Sequence, residues 1–291
     1  MHLHSVSEEF TSILKDAVRG SYNRDFFGDP ATNDGYSRRI RAVSNNILIQ
    51  FAKDVRLKGQ KYQVVAAPQY QNDSPTGKES RKTPIQVSQE TRVQHVQDLI
   101  CRNRGTELPG FFKEDTITTL FRDQCSPWAD LVTHAAEDIF DAVKAGVLSI
   151  LGAVCDEVTY AGVFSNIINL ELDQTKADFD IAVERTLEQH IKGHPITFNH
   201  YFTDNVQKLR NDHNAEHMTQ VLEQFMGVKL NNLAANHTCN VNVHNLVKAI
   251  SAPTEADMNR FACSEALHFM EAYYKVSRQL SAPCHHRLMF S

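Results

Sequence analysis

The sequence predicts an all-α protein, and three observations support that fold class. Apolar residues recur at helical spacing along most of the 291 residues. Only 12 glycines and 9 prolines interrupt these patterns, so long helices are not obstructed. Residues 62–65 form the one run with strand character. Because long helices with a narrow apolar stripe must bury it against one another, we expect an elongated antiparallel helical bundle.

The first third of the chain predicts two helices followed by a loop. One helix carries Phe10 and Ile13 on its apolar face and ends near Gly20, and a second begins near Asp34 or Gly35. From residue 58 the helical period disappears, and the polar stretch holds three prolines and an excess of basic residues. We interpret residues 58–87 as a mobile loop.

The middle of the chain predicts its longest helices. Ser88 is a suitable N-cap, with Thr91 three residues on, for a helix that ends near Asn103. A longer apolar stripe follows, which Pro127 should kink, and a further helix covers residues 160–191. The members of the long stripe are Ile117, Leu120, Phe121, Trp128, Leu131, Val132, Ile139, Val143, Val147, Ile150, Leu151 and Val154.

The last third predicts two helices separated by a polar segment. Helical character returns over residues 206–228, and the asparagine-rich residues 229–253 are predicted to be a linker. The final helix should begin near Thr254, with Asp257 at the spacing of a capping box.

Composition excludes several classes of protein. A net charge of −5 argues against broad nucleic-acid binding, which needs a basic face. No apolar run approaches the roughly 20 residues that cross a bilayer, and the first residues do not resemble a signal peptide. The six cysteines are spread singly, as is typical of reduced thiols rather than of a disulfide framework. We expect a cytoplasmic protein, with peripheral membrane contact left open.

The sequence lacks the residues of a nucleotide site. A P-loop ends in Gly-Lys-Ser/Thr, whereas the single Gly-Lys pair of this chain, Gly77-Lys78, is followed by Glu79. The run 175–178 imitates a guanine-binding motif but lies in a predicted helix rather than at the end of a strand. We therefore predict no catalytic residue, no cofactor and no metal in the leading interpretation.

One alternative is a zinc hydrolase. His213, Glu216 and His217 match His-x-x-Glu-His, in which two histidines four apart on one helix face bind zinc and the glutamate acts as general base. No convincing third ligand follows in the sequence. A solvated helix entrance explains the same residues, and a stand-alone helical adaptor is a further alternative function.

Six blocks occur in one order and resemble a known family. They are residues 26–30, 36–43, 104–110, 120–128, 193–202 and 263–276. Together they resemble the stalk of dynamin-like GTPases, especially the fungal and Mx branches, followed by the start of the GTPase effector region. The resemblance implies a stalk at residues 6–228, an effector segment at 254–276 and a tail outside the family pattern at 277–291. The family's GTPase domain is not represented.

The resemblance implies that this chain assembles with copies of itself or with full-length dynamin-like proteins, in connection with membrane remodelling. One assembly loop would contain Arg104, Gly105, Glu107, Leu108, Pro109 and Gly110. A tip loop that contacts membrane or a partner would contain Gly193, His194, Pro195, Phe198, Tyr201 and Phe202. Because the family's effector helix continues beyond the resemblance, we also expect part of the long apolar stripe to be uncovered. A truncated reading frame would account for the missing parts.

Overall fold

The computed structural model describes residues 2–65, 83–108, 110–191, 200–229, 242–250 and 258–288, and these are predominantly helical. The all-α fold class is confirmed. The α-helices are α1 (His2–Arg19), α2 (Asn33–Ser37), α3 (Ile40–Lys58), α4 (Gln89–Asn103), α5 (Glu114–Gln124), α6 (Pro127–Val154), α7 (Glu157–Val163), α8 (Asn169–Ile191), α9 (His200–Met226), α10 (Val243–Ile250) and α11 (Met258–Leu288). A 3-10 turn (Asp25–Phe27), a π-helical turn (Phe164–Ile168) and strands β1 (Tyr62–Val64) and β2 (Ile85–Val87) complete the described elements.

One hydrophobic core lies between α4, α5, the start of α6 and α11. Val96 of α4, Phe121 of α5 and Met270 of α11 are fully buried in it. The Phe121 ring meets the edges of Trp128 and Tyr273, with ring centroids 6.1 Å and 4.7 Å away. These aromatic contacts join the consecutive helices α5 and α6 to α11, which is far from both in the sequence.

A second core lies between α1, the 3-10 turn, α3 and the end of α6. Its buried members include Ala17, Phe27, Ile40 and Ile150. Gly146 allows α6 to approach α3 closely, because a methyl group there would overlap the Ile40 side chain. This second core attaches the first helices of the chain to the long helix α6.

The predicted kink at Pro127 is instead a break between two helices. α5 ends at Gln124, and α6 begins at Pro127. Proline fits the first position of a helix because the N–H that it lacks would have no intrahelical partner there. A turn at residues 125–126 therefore separates the two helices.

The predicted exposure of the long apolar stripe is wrong. Each of its members is buried or half-buried, and none is among the exposed large apolar side chains. α11 covers the part on α5, while α1, α3 and α8 pack along α6. The remaining exposed apolar residues lie elsewhere on the surface.

The predicted loop at residues 58–87 contains regular structure at both ends. α3 extends to Lys58, and β1 pairs in parallel with β2, so that Tyr62 lies opposite Ile85. β1 coincides with the strand-like run of the sequence, whereas β2 was not predicted. Residues 66–82, the centre of the predicted loop, lie outside the described residues.

Side-chain hydrogen bonds cap the first turns of two helices. The Ser88 hydroxyl accepts a hydrogen bond from the Thr91 N–H at 3.1 Å, which confirms the predicted N-cap of α4. Asp156 caps α7 in the same way through the Thr159 N–H at 3.3 Å. α7 therefore begins at Glu157, three residues before the predicted start.

The C-terminal part differs from the prediction in two places. The predicted linker at 229–253 contains α10, a helix of eight residues. α11 continues beyond residue 276 to Leu288, through most of the stretch that departs from the family pattern. The predicted helix start at Thr254 and the capping-box residue Asp257 lie outside the described residues.

Three of the later helices lie at the surface of the described structure. α7 and α10 contain no buried residue, and neither does the part of α8 whose side chains are described.

No helix in the described ranges has the length and apolar character that a membrane crossing requires.

Candidate functional site

The predicted assembly loop connects α4 to α5 and is fixed by hydrogen bonds of Glu107. The Gly105 N–H donates to Glu107 Oε2 at 2.6 Å, and Lys113 Nζ lies 3.5 Å from Oε1. The hydrogen bond from Gly105 is the main cause that lowers the pKa of Glu107 below its ordinary value. The carboxylate of Glu107 is therefore charged at neutral pH. Its hydrogen bond with Gly105 fixes the turn that precedes Leu108.

The same loop contacts the first turn of α11. Arg104 Nη2 donates to Asn259 Oδ1 at 2.7 Å. Gly110 has a φ of +89°, and a methyl group there would lie only 2.7 Å from Met258 Cε. Its positive φ is the reason that glycine is favoured at this position, since the flexible end of Met258 can shift to admit a methyl group. Pro109 lies outside the described residues.

Exposed apolar side chains surround this contact. Leu108, Phe111, Met258 and Phe261 are between 48% and 70% exposed, and we call these four residues the loop patch. The Phe111 N–H donates to the Leu108 carbonyl at 3.1 Å, so the two loop residues are held in one turn. Such a cluster is unusual on the surface of a protein that has no partner.

The predicted tip residues are only partly described. Gly193, His194, Pro195 and Phe198 lie outside the described residues. Tyr201 is 56% exposed at the start of α9, as a contact residue should be. Phe202 instead packs against Phe269 of α11, with ring centroids 6.0 Å apart.

The two predicted loops are connected through α11. Phe112, which follows the assembly loop, also contacts Phe269, with centroids 6.5 Å apart. The sequence gives no signal for these contacts, because Phe269 is distant in the chain from both Phe112 and Phe202.

The residues of the zinc alternative lie on α9. His213 is exposed and meets the half-buried His268 of α11, with ring centroids 5.6 Å apart. Glu216 is exposed, and the side chain of His217 is outside the described side chains. Within the described part of the chain, no three His, Cys, Asp or Glu residues form a group that could hold a metal ion.

A buried charge cluster, which the sequence did not reveal, joins β1 to α4 and α5. Arg92 is only 3% exposed and lies over the Tyr62 ring, 4.3 Å from its centroid. Gln124 Nε2 donates to the Tyr62 carbonyl at 2.9 Å, and Lys61 pairs with Asp123. Burial lowers the pKa of Arg92. The hydrogen bond between Lys61 and Asp123 raises the pKa of Lys61. The cluster fastens the start of the 58–87 region to the first core.

Comparison of the chain with protein-family models, with curated proteins and with solved structures finds no match.

Proposed function

We propose that this chain is a non-catalytic assembly module that corresponds to the stalk of a dynamin-like GTPase. It joins copies of itself, or full-length dynamin-like proteins, through surfaces on its helices and connecting loops. The observation that carries the proposal is the loop patch. Leu108 and Phe111 lie in and directly after the loop that resembles the family's assembly loop, and Met258 and Phe261 complete the patch from α11. The all-α fold, with helices packed around two cores, is compatible with a stalk.

Covering the loop patch with a partner would be favourable, because it removes apolar surface from water. Apolar surface contributes about 25 cal/mol for each Å2 removed from water, so two aromatic rings with Leu108 and Met258 supply several kcal/mol. Because Glu107 and Gly110 already hold the loop, little conformational entropy is lost when a partner binds.

Polar groups around the loop patch favour specific association. Arg104, Glu107 and Lys113 lie in the same loop, and Arg260 of α11 pairs with Glu90 at 3.0 Å. An apolar centre with a polar rim is typical of protein interfaces and restricts how two surfaces can align.

The finer features belong to the same proposal. The helices form an elongated antiparallel bundle, assembly takes place in the cytoplasm near membranes, and the chain itself hydrolyses no nucleotide. The residues around Tyr201 supply a second contact, with membrane or with a partner. In this proposal the chemistry of the chain is binding rather than catalysis.

Sedimentation velocity over a range of protein concentrations tests the proposal. A double variant, Leu108→Ser with Phe111→Ser, should weaken association by about tenfold or more, the effect of losing apolar residues at the centre of an interface. Val158→Ser is the matched control, because Val158 is 82% exposed on α7, outside the loop patch. All of these side chains are exposed, so circular dichroism should be unchanged.

Two results would contradict the proposal. The first is a wild-type chain that stays monomeric at every concentration. The second is association that the double variant and the control weaken equally, since the loop patch would then have no special part in it.

A further inference from the structure

An exposed stripe with positive charge runs along the outer face of α3. Ile49 and Leu57 are 54% and 65% exposed, although both are large and apolar. Lys53 and Arg56 lie between them on the same helix face and form no ion pair with any residue in the described ranges. We call these four residues the basic stripe. α3 as a whole contains four basic residues and one acidic residue.

An exposed stripe of the opposite charge runs along the outer face of α8 and its π-helical turn. Ile167, Leu170 and Ile181 are between 55% and 68% exposed, on the side of the helix that faces away from α6. Glu171 and Asp178 are exposed beside them. We call these five residues the acidic stripe.

The charge of α8 supports this description. The helix contains six carboxylates and two basic residues. One of the basic residues, Lys176, is already paired with Asp180 and lies over the Phe140 ring of α6, 5.4 Å from its centroid. The other, Arg185, lies one turn after the apolar residues of the stripe.

The two stripes are complementary, because both carry exposed large apolar side chains and their charges are of opposite sign. The basic stripe extends over nine residues and the acidic stripe over fifteen, so both are about two to four helical turns long. Each presents large apolar side chains flanked by charge, which is the pattern of helices that pair in water. We propose that the basic stripe of one copy docks on the acidic stripe of a second copy.

This docking is a contact between two different surfaces of the same chain. Such a contact leaves one basic and one acidic stripe free at the ends of every dimer, so that further copies can add. The inference rests on the proposed assembly function and identifies a further contact besides the loop patch and the residues around Tyr201. The apolar residues supply affinity, and the opposite charges fix which stripes can meet.

Charge reversal tests the docking. Lys53→Glu with Arg56→Glu, and separately Glu171→Lys with Asp178→Lys, should each raise the dissociation constant about tenfold or more in sedimentation velocity, because like charges then oppose each other. Lys15→Glu with Arg19→Glu is the control for the first variant. Its two residues are exposed on α1 and undergo the same change in charge.

A mixture of the two reversed variants is the decisive measurement. Each variant alone repels its own copies, but an equimolar mixture again places opposite charges on both stripes and should associate as the wild type does. An interface formed by the same stripe on both copies brings like charges together in the wild type and in each variant, so neither reversal alone would weaken it.

The outcomes separate this inference from the proposed function. A wild-type chain that stays monomeric overturns both. A wild-type chain whose association depends on Leu108 and Phe111, but not on either charge reversal, overturns the docking of the two stripes alone. A mixture that fails to recover association also overturns it.

Discussion

At the scale of single residues, Arg39 determines the path of the chain between α1 and α3. Its guanidinium is buried and donates hydrogen bonds to the carbonyls of Phe27, Gly35 and Gly28 at 2.6, 2.6 and 3.0 Å. It also lies over the Tyr22 ring, 5.1 Å from the centroid. One side chain therefore satisfies three backbone groups of a segment that has little regular structure.

Arg39→Ala should destabilise the fold by about 3 kcal/mol, because the variant removes this donor from the buried carbonyls of Phe27 and Gly35. Chemical denaturation measures the change. Arg102→Ala, at an exposed position of α4, should change stability by less than about 0.5 kcal/mol. Equal effects of the two substitutions would show that the Arg39 hydrogen bonds contribute little.

His268 makes stability depend on pH. Burial is the main cause that lowers the pKa of this imidazole below 6.5, and the charges of His213 and Arg210 lower it further, whereas Glu265 raises it. The unfolded chain therefore takes up the proton more readily than the folded chain does. Stability is greatest above the unfolded pKa of about 6.5, and it falls as the pH drops from there through the lower folded pKa.

Denaturation at about pH 7.5 and pH 5.5 measures this dependence. The loss of stability between the two values should be smaller in His268→Gln than in the wild type, because glutamine does not titrate in this range. His134→Gln, at an exposed position of α6, should keep the wild-type loss. A loss that is unchanged in His268→Gln would contradict the assignment.

At the scale of elements, the sequence predicts those features that depend on neighbouring residues. The cap at Ser88 was predicted because both partners lie within four residues of each other. The break at Pro127 was misread as a kink, since the helical period continues on both sides of it. α10 was missed because it is short and lies within a polar segment. β2 was missed because its pairing with β1 spans a long stretch of chain.

The candidate site likewise combines residues that a local motif indicates with residues that only tertiary packing brings in. The sequence indicates the residues of the assembly loop, including Gly110, as a motif. It does not indicate Met258 and Phe261, which complete the loop patch from the start of α11, about 150 residues along the chain. The tip residue Phe202 likewise packs against Phe269, a contact that follows only from the packing of α9 on α11.

Replacing either of two glycines of α6 with alanine should change stability in opposite directions. At Gly146 a methyl group would lie 2.6 Å from Ile40 Cδ1, where α6 packs against α3. At Gly152 the nearest atom, in the Tyr160 ring, would be 3.8 Å away. Gly146→Ala should destabilise by about 1–2 kcal/mol, since overpacking outweighs the better helix propensity of alanine. Gly152→Ala should stabilise by about 0.5–1 kcal/mol.

Thermal unfolding of the two variants measures this difference. Adding Ile40→Ala removes the side chain that a methyl group at position 146 would meet. The double variant should therefore be more stable than the sum of the two single changes implies. If the two alanine variants melt at the same temperature, α3 and α6 are not in the close contact described here.

At the scale of the whole molecule, two kinds of surface should respond differently to salt. The loop patch is mainly apolar, whereas the docking of the basic stripe on the acidic stripe depends on charge. Screening lengths fall from about 10 Å at 0.1 M salt to about 3 Å at 1 M, which weakens attraction between exposed charges. Burial of apolar surface is not weakened in this way.

The two sets of variants isolate these surfaces. The Leu108→Ser and Phe111→Ser chain keeps the contact between stripes, so its association should weaken as salt rises from about 0.1 M to about 1 M. The Lys53→Glu and Arg56→Glu chain keeps only the loop patch, and its association should persist or strengthen over the same range. Sedimentation velocity at both salt concentrations measures the two responses. The same salt response in both chains would mean that one surface, rather than two of different character, holds the assembly together.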